Sequence, residues 1–386
     1  MTAPPARSSL FPAGTLAPAT AKTLWGTFYD YVTGLLPASG SVTAGSILVS
    51  SGAGLVEVPD DHAPVNTNGG FEINQRVNVT SPADDAYCLD RFYVLTESGT
   101  VTTAQTTDPE AGAPWGIRLT QPDVGAKRMG LATILESKDC RKLRSAVATL
   151  AARVKLSTGG TLRYAIIEHT GTADAVTSDV VNSWASATFT PTNFFIAGVN
   201  VLQCGTITPG AATWGDLAGY GTVGASMNNL VCFIWTEAQA AQNVTLDINR
   251  FRCVPGTIAL PHRFRPNELA LCQRHYWRRN WTTGHYIGSA GQAYSASSAF
   301  GMRISAPVSM RATPTVINSS ALGAFSLGSA VSAMAAVVTN FNLGASGLDG
   351  DVVVTQADRT GNGLVAGDAC VLSTTSSVFI DAAADL

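Results

Sequence analysis

Between Asn66 and about Pro255 the chain is written in short runs of strand-forming residues, each cut off by a turn. The runs include AYCLDRFYVL, APWGIRLTQ, RMGLATI, AVATLAARVKL, TLRYAIIE, NFFIAGVNVLQ, NLVCFIWT and NVTLDINRFRC. Pro109, Gly112, Pro114, Gly159-Gly160 and Pro209-Gly210 fall between them. Turns belong at such residues because they set or relax the backbone φ angle. Short runs at this spacing suit a β-sandwich. NLVCFIW is apolar on both of its faces, so it is expected at the centre of a sheet. In NVTLDINRFRC, Val244, Leu246 and Ile248 alternate until the phase slips at Arg250-Phe251, which predicts a bulge. No solenoid period is present.

Composition supports this reading. Only 13% of residues are charged and 46% are hydrophobic, with 37 glycines. A surface so poor in charge is adhesive, and a self-associating chain is expected. The formal net charge of −3 supplies no basic field, which argues against nucleic-acid binding. The 7 cysteines show no CxxC or metal-ligand spacing, and their odd number does not make a complete disulfide framework. The N-terminus has no basic stretch followed by an apolar core, and no run is long and apolar enough to span a membrane. Synthesis in a reducing cytosol without a readable secretion signal is the expectation.

Two stretches depart from the β pattern. Residues 1–20 read as an extended arm, followed by TAKTLWGTFYDYVTGLLP. Here Leu24, Trp25, Phe28, Tyr31, Val32, Leu35 and Leu36 recur at helical spacing. This helix packs on its own domain, or it anchors the chain through self-association or docking on a larger assembly. Residues 38–64 read as a linker with one or two short strands.

The second stretch is PNELALCQRHYWRRNW, Pro266 to Trp281. Asn267 is expected to cap a short helix. Leu269, Cys272 and Tyr276 share one face with Leu271 and His275 beside them, while Arg274, Arg278 and Arg279 fall toward the other side. The stretch serves as a hinge packed between domains, or its arginines bind sugar or phosphate. Beyond it the chain is β-like again, with an edge strand expected after Pro314. The fold class is therefore mainly β: an N-terminal helix, a sandwich, a hinge helix and a C-terminal β domain. The divisions fall at 1–65, 66–262 and 263–386.

Several segments together resemble a family of bacteriophage virion proteins, mostly tail fibre and minor structural proteins. Asn68-Gly69-Gly70-Phe71-Glu72-Ile73-Asn74-Gln75-Arg76 resembles the family's "NG.F.INQR" opening. Tyr87 with Asp90-Arg91-Phe92 resembles "Y..DRW", with Phe92 where tryptophan is commoner. Glu268-Leu269-Ala270-Leu271-Cys272-Gln273-Arg274-His275-Tyr276 resembles the "EL.LCQRYY" hinge. Pro307-Val308 with Met310-Arg311-Ala312-Thr313-Pro314-Thr315 resembles "FPV.MRATPTV". Phe379-Ile380-Asp381-Ala382-Ala383-Ala384-Asp385-Leu386 resembles the closing "YI.FDAEL". The resemblance covers residues 66–386 and leaves the N-terminal segment outside. It implies a jelly-roll sandwich of carbohydrate-module type and a virion appendage, often a homotrimer. The N-terminus of such an appendage attaches it to portal, collar or tail on the particle exterior.

Catalytic and metal chemistry find little purchase. The histidines, His62, His169, His262, His275 and His285, form no HxH or HExxH pattern. Asp247 with Asn249 offers oxygens for calcium, but one Asp-x-Asn does not supply the six to eight that calcium takes. Carboxylates are scattered through turns, and GxSxG is absent. The expectations are no enzyme activity, no cofactor and no metal.

Aromatic residues are the better candidates, because rings offer rigid apolar platforms to the CH faces of sugars. Trp277, Trp281, Tyr286 and Tyr294 cluster in sequence with Arg278 and form the candidate glycan-binding set, each with core packing or a subunit contact as its alternative. Trp235 reads as core, whereas Trp184 and Trp214 lie in polar stretches that can be exposed. Asn68 to Arg76 reads as structural, with Arg76 pairing to a carboxylate such as Asp90. The functional expectation is a trimeric virion fibre or spike that binds host-surface glycans. A purely structural head, collar or neck decoration is the second reading, and a capsule depolymerase the third.

Overall fold

The computed structural model describes residues 46–50, 55–59, 63–76, 79–107, 115–258, 262, 265–329, 337–346 and 350–385. The anchor helix expected over Leu24 to Leu36 lies outside them. In the N-terminal unit, β1 (Ser46–Ser50) and β2 (Leu55–Pro59) pair antiparallel, with Ser46 opposite Pro59 and Ser50 opposite Leu55.

The second unit, Pro64–Leu386, contains everything else described. Its first half holds β3 (Tyr87–Leu89), β4 (Phe92–Thr96), β5 (Thr102–Thr107), β6 (Trp115–Thr120), β7 (Met129–Leu135), a short helix α1 (Ser137–Cys140), β8 (Val147–Leu156), β9 (Leu162–His169), β10 (Val199–Ile207), β11 (Gly215–Thr222), β12 (Asn229–Thr236) and β13 (Thr245–Pro255). They form two antiparallel sheets, a six-stranded one in the order β10-β9-β12-β7-β4-β3 and a five-stranded one in the order β11-β8-β13-β6-β5. The chain crosses repeatedly between the sheets, as in a jelly-roll sandwich.

Strand β12 occupies the interior of its sheet, between β9 and β7, because both of its faces are apolar. Leu230, Cys232 and Ile234 point into the core between the sheets. Val231, Phe233 and Trp235 point the other way, into a second apolar layer roofed by Val176, Val180, Phe194 and Phe195. Each such side chain contributes about 1.5–3 kcal/mol on burial. The bulge in β13 falls where the alternation slips: the pairing jumps from Asn249–Arg153 to Arg252–Ala151, and Arg250 takes φ 49°. The extra residue returns Phe251 to the core.

The second half begins with α2 (Glu268–Gln273), followed by β14 (Tyr276–Trp281), β15 (Tyr286–Ala293), β16 (Ser298–Phe300), β17 (Met302–Ile304), β18 (Val316–Ser319), β19 (Phe325–Ser329), β20 (Val338–Ser346), β21 (Asp351–Arg359), β22 (Ala369–Thr374) and β23 (Val378–Ala383). Strands β14, β23 and β18 form a three-stranded sheet with β23 in the middle. The others form a seven-stranded sheet, and a separate apolar core includes Trp277, Phe325, Leu327, Leu372 and Ile380. The expected edge strand after Pro314 is β18. Helix α2 differs from expectation in two respects. Asn267 makes no side-chain cap bond, and Leu269 is 45% exposed. The helix is too short to maintain a full apolar stripe, and burial is concentrated at Cys272, His275 and Tyr276.

The quoted motif segments, far apart in sequence, meet at the junction of the two halves. Asn68 Nδ2 donates to Ile73 O at 2.8 Å and Asp90 O at 2.9 Å, and its backbone N–H donates to Glu268. Gly69 runs so close to β13 that a Cβ would lie 1.9 Å from Phe251 O, which leaves glycine as the residue that fits. Gln75 donates to Asp90 through its backbone N–H at 2.6 Å and through Nε2 at 2.7 Å, and Nε2 also reaches Tyr276 O at 2.9 Å. Arg76 pairs with Asp385 rather than with Asp90, and its guanidinium lies 3.9 Å from the Tyr276 ring centre. Burial pushes the Asp90 carboxyl up to about 6 against the pull of Arg76 and the hydrogen bonds from Gln75.

Beside this, Glu136 accepts from Arg274 at 3.1 and 3.4 Å and lies 3.9 Å from Arg311 Nε. Arg91 Nη1 is 2.9 Å from His275 Nδ1 and Arg91 Nη2 donates to Ile134 O at 2.6 Å. A guanidinium has only donors, so His275 Nδ1 is the acceptor and its proton sits on Nε2, 3.7 Å from Glu136. Burial, reinforced by Arg91, Arg311, Arg274 and Lys138, holds the His275 ring well below the usual histidine range. The polar motif residues are thus used for joining the halves.

Candidate functional site

Of the five glycan candidates, the structure brings two together. Trp281, at the end of β14, and Tyr286, at the start of β15, line one surface depression of about 410 Å3 with Arg279, Gly288, Ser289, Arg303, Ile304 and Ser305. Tyr286 is 66% exposed, and Trp281 is half-buried against the C-terminal core. The connection between them is held by Thr374. Its Oγ1 donates to Thr282 O at 2.6 Å and accepts from the His285 N–H at 3.1 Å, while Gly284 N–H donates to Thr374 O at 2.8 Å.

The floor is open because of Gly288. It has φ 69°, and a Cβ there would lie 2.6 Å from Arg303 O. A side chain at this position would push β17 away. Arg303 N–H donates to Ser289 Oγ at 3.0 Å, and the Arg303 side chain pairs with Asp351, which also accepts from Ala306 N–H at 2.6 Å. Arg279 is exposed and has no ion-pair partner among the described residues. The depression therefore offers two aromatic rings, a free guanidinium and a charge-neutral Arg303–Asp351 pair. Rings of this kind take apolar sugar faces, and planar polar groups take hydroxyls or carboxylates.

The other three candidates stand elsewhere. Trp277 is fully buried in the C-terminal core, with Nε1 donating to Gly350 O at 3.2 Å, so it has no face for a ligand. Arg278 lies on the opposite face of β14 from Trp277, Arg279 and Trp281, because side chains alternate along a strand. It stacks 3.6 Å above the Phe379 ring centre and lies 4.0 Å from Asp381. Tyr294 follows the far end of β15, roughly 26 Å from Tyr286 at about 3.3 Å per residue, and pairs with Phe300 at 5.7 Å between ring centres. Gly288, Ser289 and Arg303 were not singled out by the sequence, and Arg279 was named only among the hinge arginines whose alternative role is to bind sugar or phosphate. The strand parity of β14, once its limits are known, is the signal that selects Arg279 over Arg278.

Elsewhere in the first half, Trp235 is core as expected. Trp214 lies beneath Lys155, 4.6 Å from its Nζ. Asp247 is committed to Arg118 at 2.6 and 2.9 Å and to Lys155 at 2.9 Å, so its oxygens are occupied by cations of the protein itself. All seven cysteines are free thiols, and all but Cys204 are buried. Among the described residues, no three His, Cys, Asp or Glu side chains are grouped so as to hold a metal ion.

No family model matches the chain, and no curated protein matches its sequence. Solved structures do resemble part of it. TmCBM61, solved in complex with β-1,4-galactotriose, aligns with 10% identity and a TM-score of 0.30 over 50% of this chain and 99% of its own. The CBM22-1 xylan-binding domain from Paenibacillus barcinonensis Xyn10C aligns with 10% identity and a TM-score of 0.31 over 51% of this chain and 97% of its own. The enzymatically active domain of bacteriophage CBA120 tailspike protein 4 aligns with 13% identity and a TM-score of 0.31 over 50% of this chain and 21% of its own. The structural neighbours thus include carbohydrate-binding modules and a phage tailspike domain.

Proposed function

We propose that this chain is a non-catalytic, homotrimeric appendage of a bacteriophage particle, attached through its N-terminal region and binding host-surface glycans through the C-terminal β domain. The observation that carries the glycan reading is the convergence of Trp281, Tyr286 and Arg279 in one open depression built on rigid strands. The motif segments support the appendage reading in a different way. They hold the two β halves in one compact unit, as a projecting part under mechanical load requires. A single shallow depression binds weakly. Three copies on a trimer, and several trimers on a particle, raise avidity by about 10²–10⁴ without a deep pocket.

The test is binding of the labelled full chain to a panel of bacterial cells, with and without periodate oxidation of their surface glycans. The expected result is saturable binding to some strains, lost on oxidation and lost in Trp281→Ala and Tyr286→Ala proteins that remain folded. Light scattering should give a mass of three times the 40.0 kDa chain. A folded trimer that binds no strain overturns the glycan reading and leaves a structural decoration. A folded monomer overturns the trimer.

A further inference from the structure

A second cavity lies on the outer side of the six-stranded sheet, remote in sequence from the Trp281–Tyr286 depression. It measures about 260 Å3 and is built from two layers. The sheet supplies Trp235 from β12, Arg163 from β9 directly opposite it, Arg128 just before β7, and Glu237 just after β12. The segment between β9 and β10 supplies Trp184, Phe189 and Phe194, with the backbone of residues 185–187 at the rim. The rings support one another. Phe194 stacks on Trp235 at 5.2 Å, and Trp184 meets Phe194 edge-on at 5.7 Å. The Arg163 guanidinium covers the Phe189 ring at 3.8 Å. Trp184 and Phe189 remain half-buried and face the opening, while Phe194 and Trp235 are fully buried beneath them.

The polar groups are planar and held in place. Arg163 Nε donates to Glu237 Oε1 at 2.8 Å, and its Nη2 is bonded to the same oxygen. Arg128 Nε donates to Glu237 O at 2.8 Å and its Nη1 to Glu97 Oε1 at 3.1 Å. Glu237 Oε2 and the Trp184 indole N–H have no hydrogen-bond partner among the described residues. Two guanidinium groups are thus matched by two carboxylates. An anionic ligand entering here would have to displace a glutamate from an arginine, whereas a pair of vicinal hydroxyls can share the arginine donors and the free carboxylate oxygen. The cavity is smaller than the roughly 300–1,000 Å3 typical of drug-sized ligands, which fits one sugar ring.

We infer that this cavity is a second carbohydrate subsite, taking a single neutral pyranose unit with its apolar face on the Trp184 ring and its hydroxyls on Glu237, Arg163 and Arg128. It is independent of the Trp281–Tyr286 depression, where Arg279 is an uncompensated cation.

The experiment is ligand-observed NMR on the full chain with four neutral disaccharides, cellobiose, lactose, maltose and β-1,4-galactobiose, and with digalacturonic acid as the charged probe. Wild type and Trp281→Ala, in which the other depression is disabled, are measured first, and Trp184→Ala and Ala187→Trp are then added to the Trp281→Ala background. Ala187 is exposed and lines the rim, so a tryptophan there is placed to obstruct the opening while the residues of the wall and floor are kept. In the Trp281→Ala background at least one neutral disaccharide should bind saturably, digalacturonic acid should not, and affinity should fall at least tenfold on adding either Trp184→Ala or Ala187→Trp. If Trp184→Ala does not fold, Ala187→Trp decides. The inference is overturned if no neutral disaccharide binds, if only the acidic one binds, or if binding survives Ala187→Trp in folded protein. Binding shown by wild type and absent from the Trp281→Ala background also overturns it, and places recognition in the other depression.

Discussion

Glu136 sits where the two β halves meet, 6% exposed, and it is the carboxylate shared by Arg274, Arg311 and the His275 ring edge. Glu136→Ala leaves the Arg274 guanidinium without its counter-charge and leaves Arg311 with Asp174 alone, at 3.6 Å. Removing one partner of a fully buried pair costs about 3–5 kcal/mol. The side chains of Arg274 and Arg311 keep 22% and 11% of their exposure, so water compensates them in part and the lower end applies, about 3 kcal/mol. The unit spans residues 64–386, larger than the domains for which 1 kcal/mol moves the midpoint by about 2–4 °C. At about 2.1 cal/mol/K of unfolding entropy per residue, a fall of roughly 4 °C is expected if the halves melt together. A split into two transitions is expected if the junction is the main coupling between them. Differential scanning calorimetry of the full chain distinguishes these outcomes. Adding Arg274→Met to Glu136→Ala should restore part of the loss, because the orphaned cation is removed with it. A Glu136→Ala midpoint within 1 °C of wild type, with one transition, refutes the account of Glu136 as the shared counter-charge.

Three further outcomes follow from the same geometry. Trp277→Ala should cost about 3–5 kcal/mol in chemical denaturation and disrupt the C-terminal core, in contrast to Trp281→Ala, which should leave the denaturation midpoint near wild type. Asp90 titrates near 6 when folded and near 3.9 when unfolded, so the native state holds the extra proton between those values. Stability from this group therefore rises as pH falls from 7 to 4, by about 2 kcal/mol, and is lost again as pH climbs through 6. Asp90→Asn should remove that component, and a wild-type-minus-mutant difference that stays flat across the range contradicts the assignment. Nitrogen-detected NMR should find the His275 ring neutral at pH 6 with its proton on Nε2. An imidazolium signal there would mean that Arg91 does not face Nδ1.

What could be read from the sequence was whatever depends on near neighbours. The two-faced apolar run of β12 announced a central strand, and the slip in β13 announced its bulge, because side-chain parity is a local property of the chain. Long-range choices were hidden. Arg76 has Asp90 close in sequence yet pairs with Asp385, 309 residues away, since only the closed junction sets which carboxylate it meets. The candidate site fell between these cases. Trp281 and Tyr286 were found by residue type. Exchanging Arg278 for Arg279 required knowing where β14 begins, and recognising Trp277 as core required knowing that its indole meets Gly350. Leu269 was misplaced because a helical stripe was projected over a helix that is only six residues long. The cavity beneath Trp184 depends on a long connection folding back over a sheet, for which the sequence carries no periodic signal.

The order of translation gives the position of β23 another meaning. Its partners β14 and β18 are both synthesised earlier, with Tyr276 waiting for Ala383 and Val316 for the same residue. At about 5–20 residues per second, the roughly 100 residues between β14 and β23 take on the order of 5–20 s to emerge. Through that interval first one strand edge, β14, and then a second, β18, stands ready for a central strand that does not yet exist. On a crowded polysome, the β23 of a neighbouring nascent chain has the same sequence and can arrive first. Whether each copy closes on itself is then decided by timing.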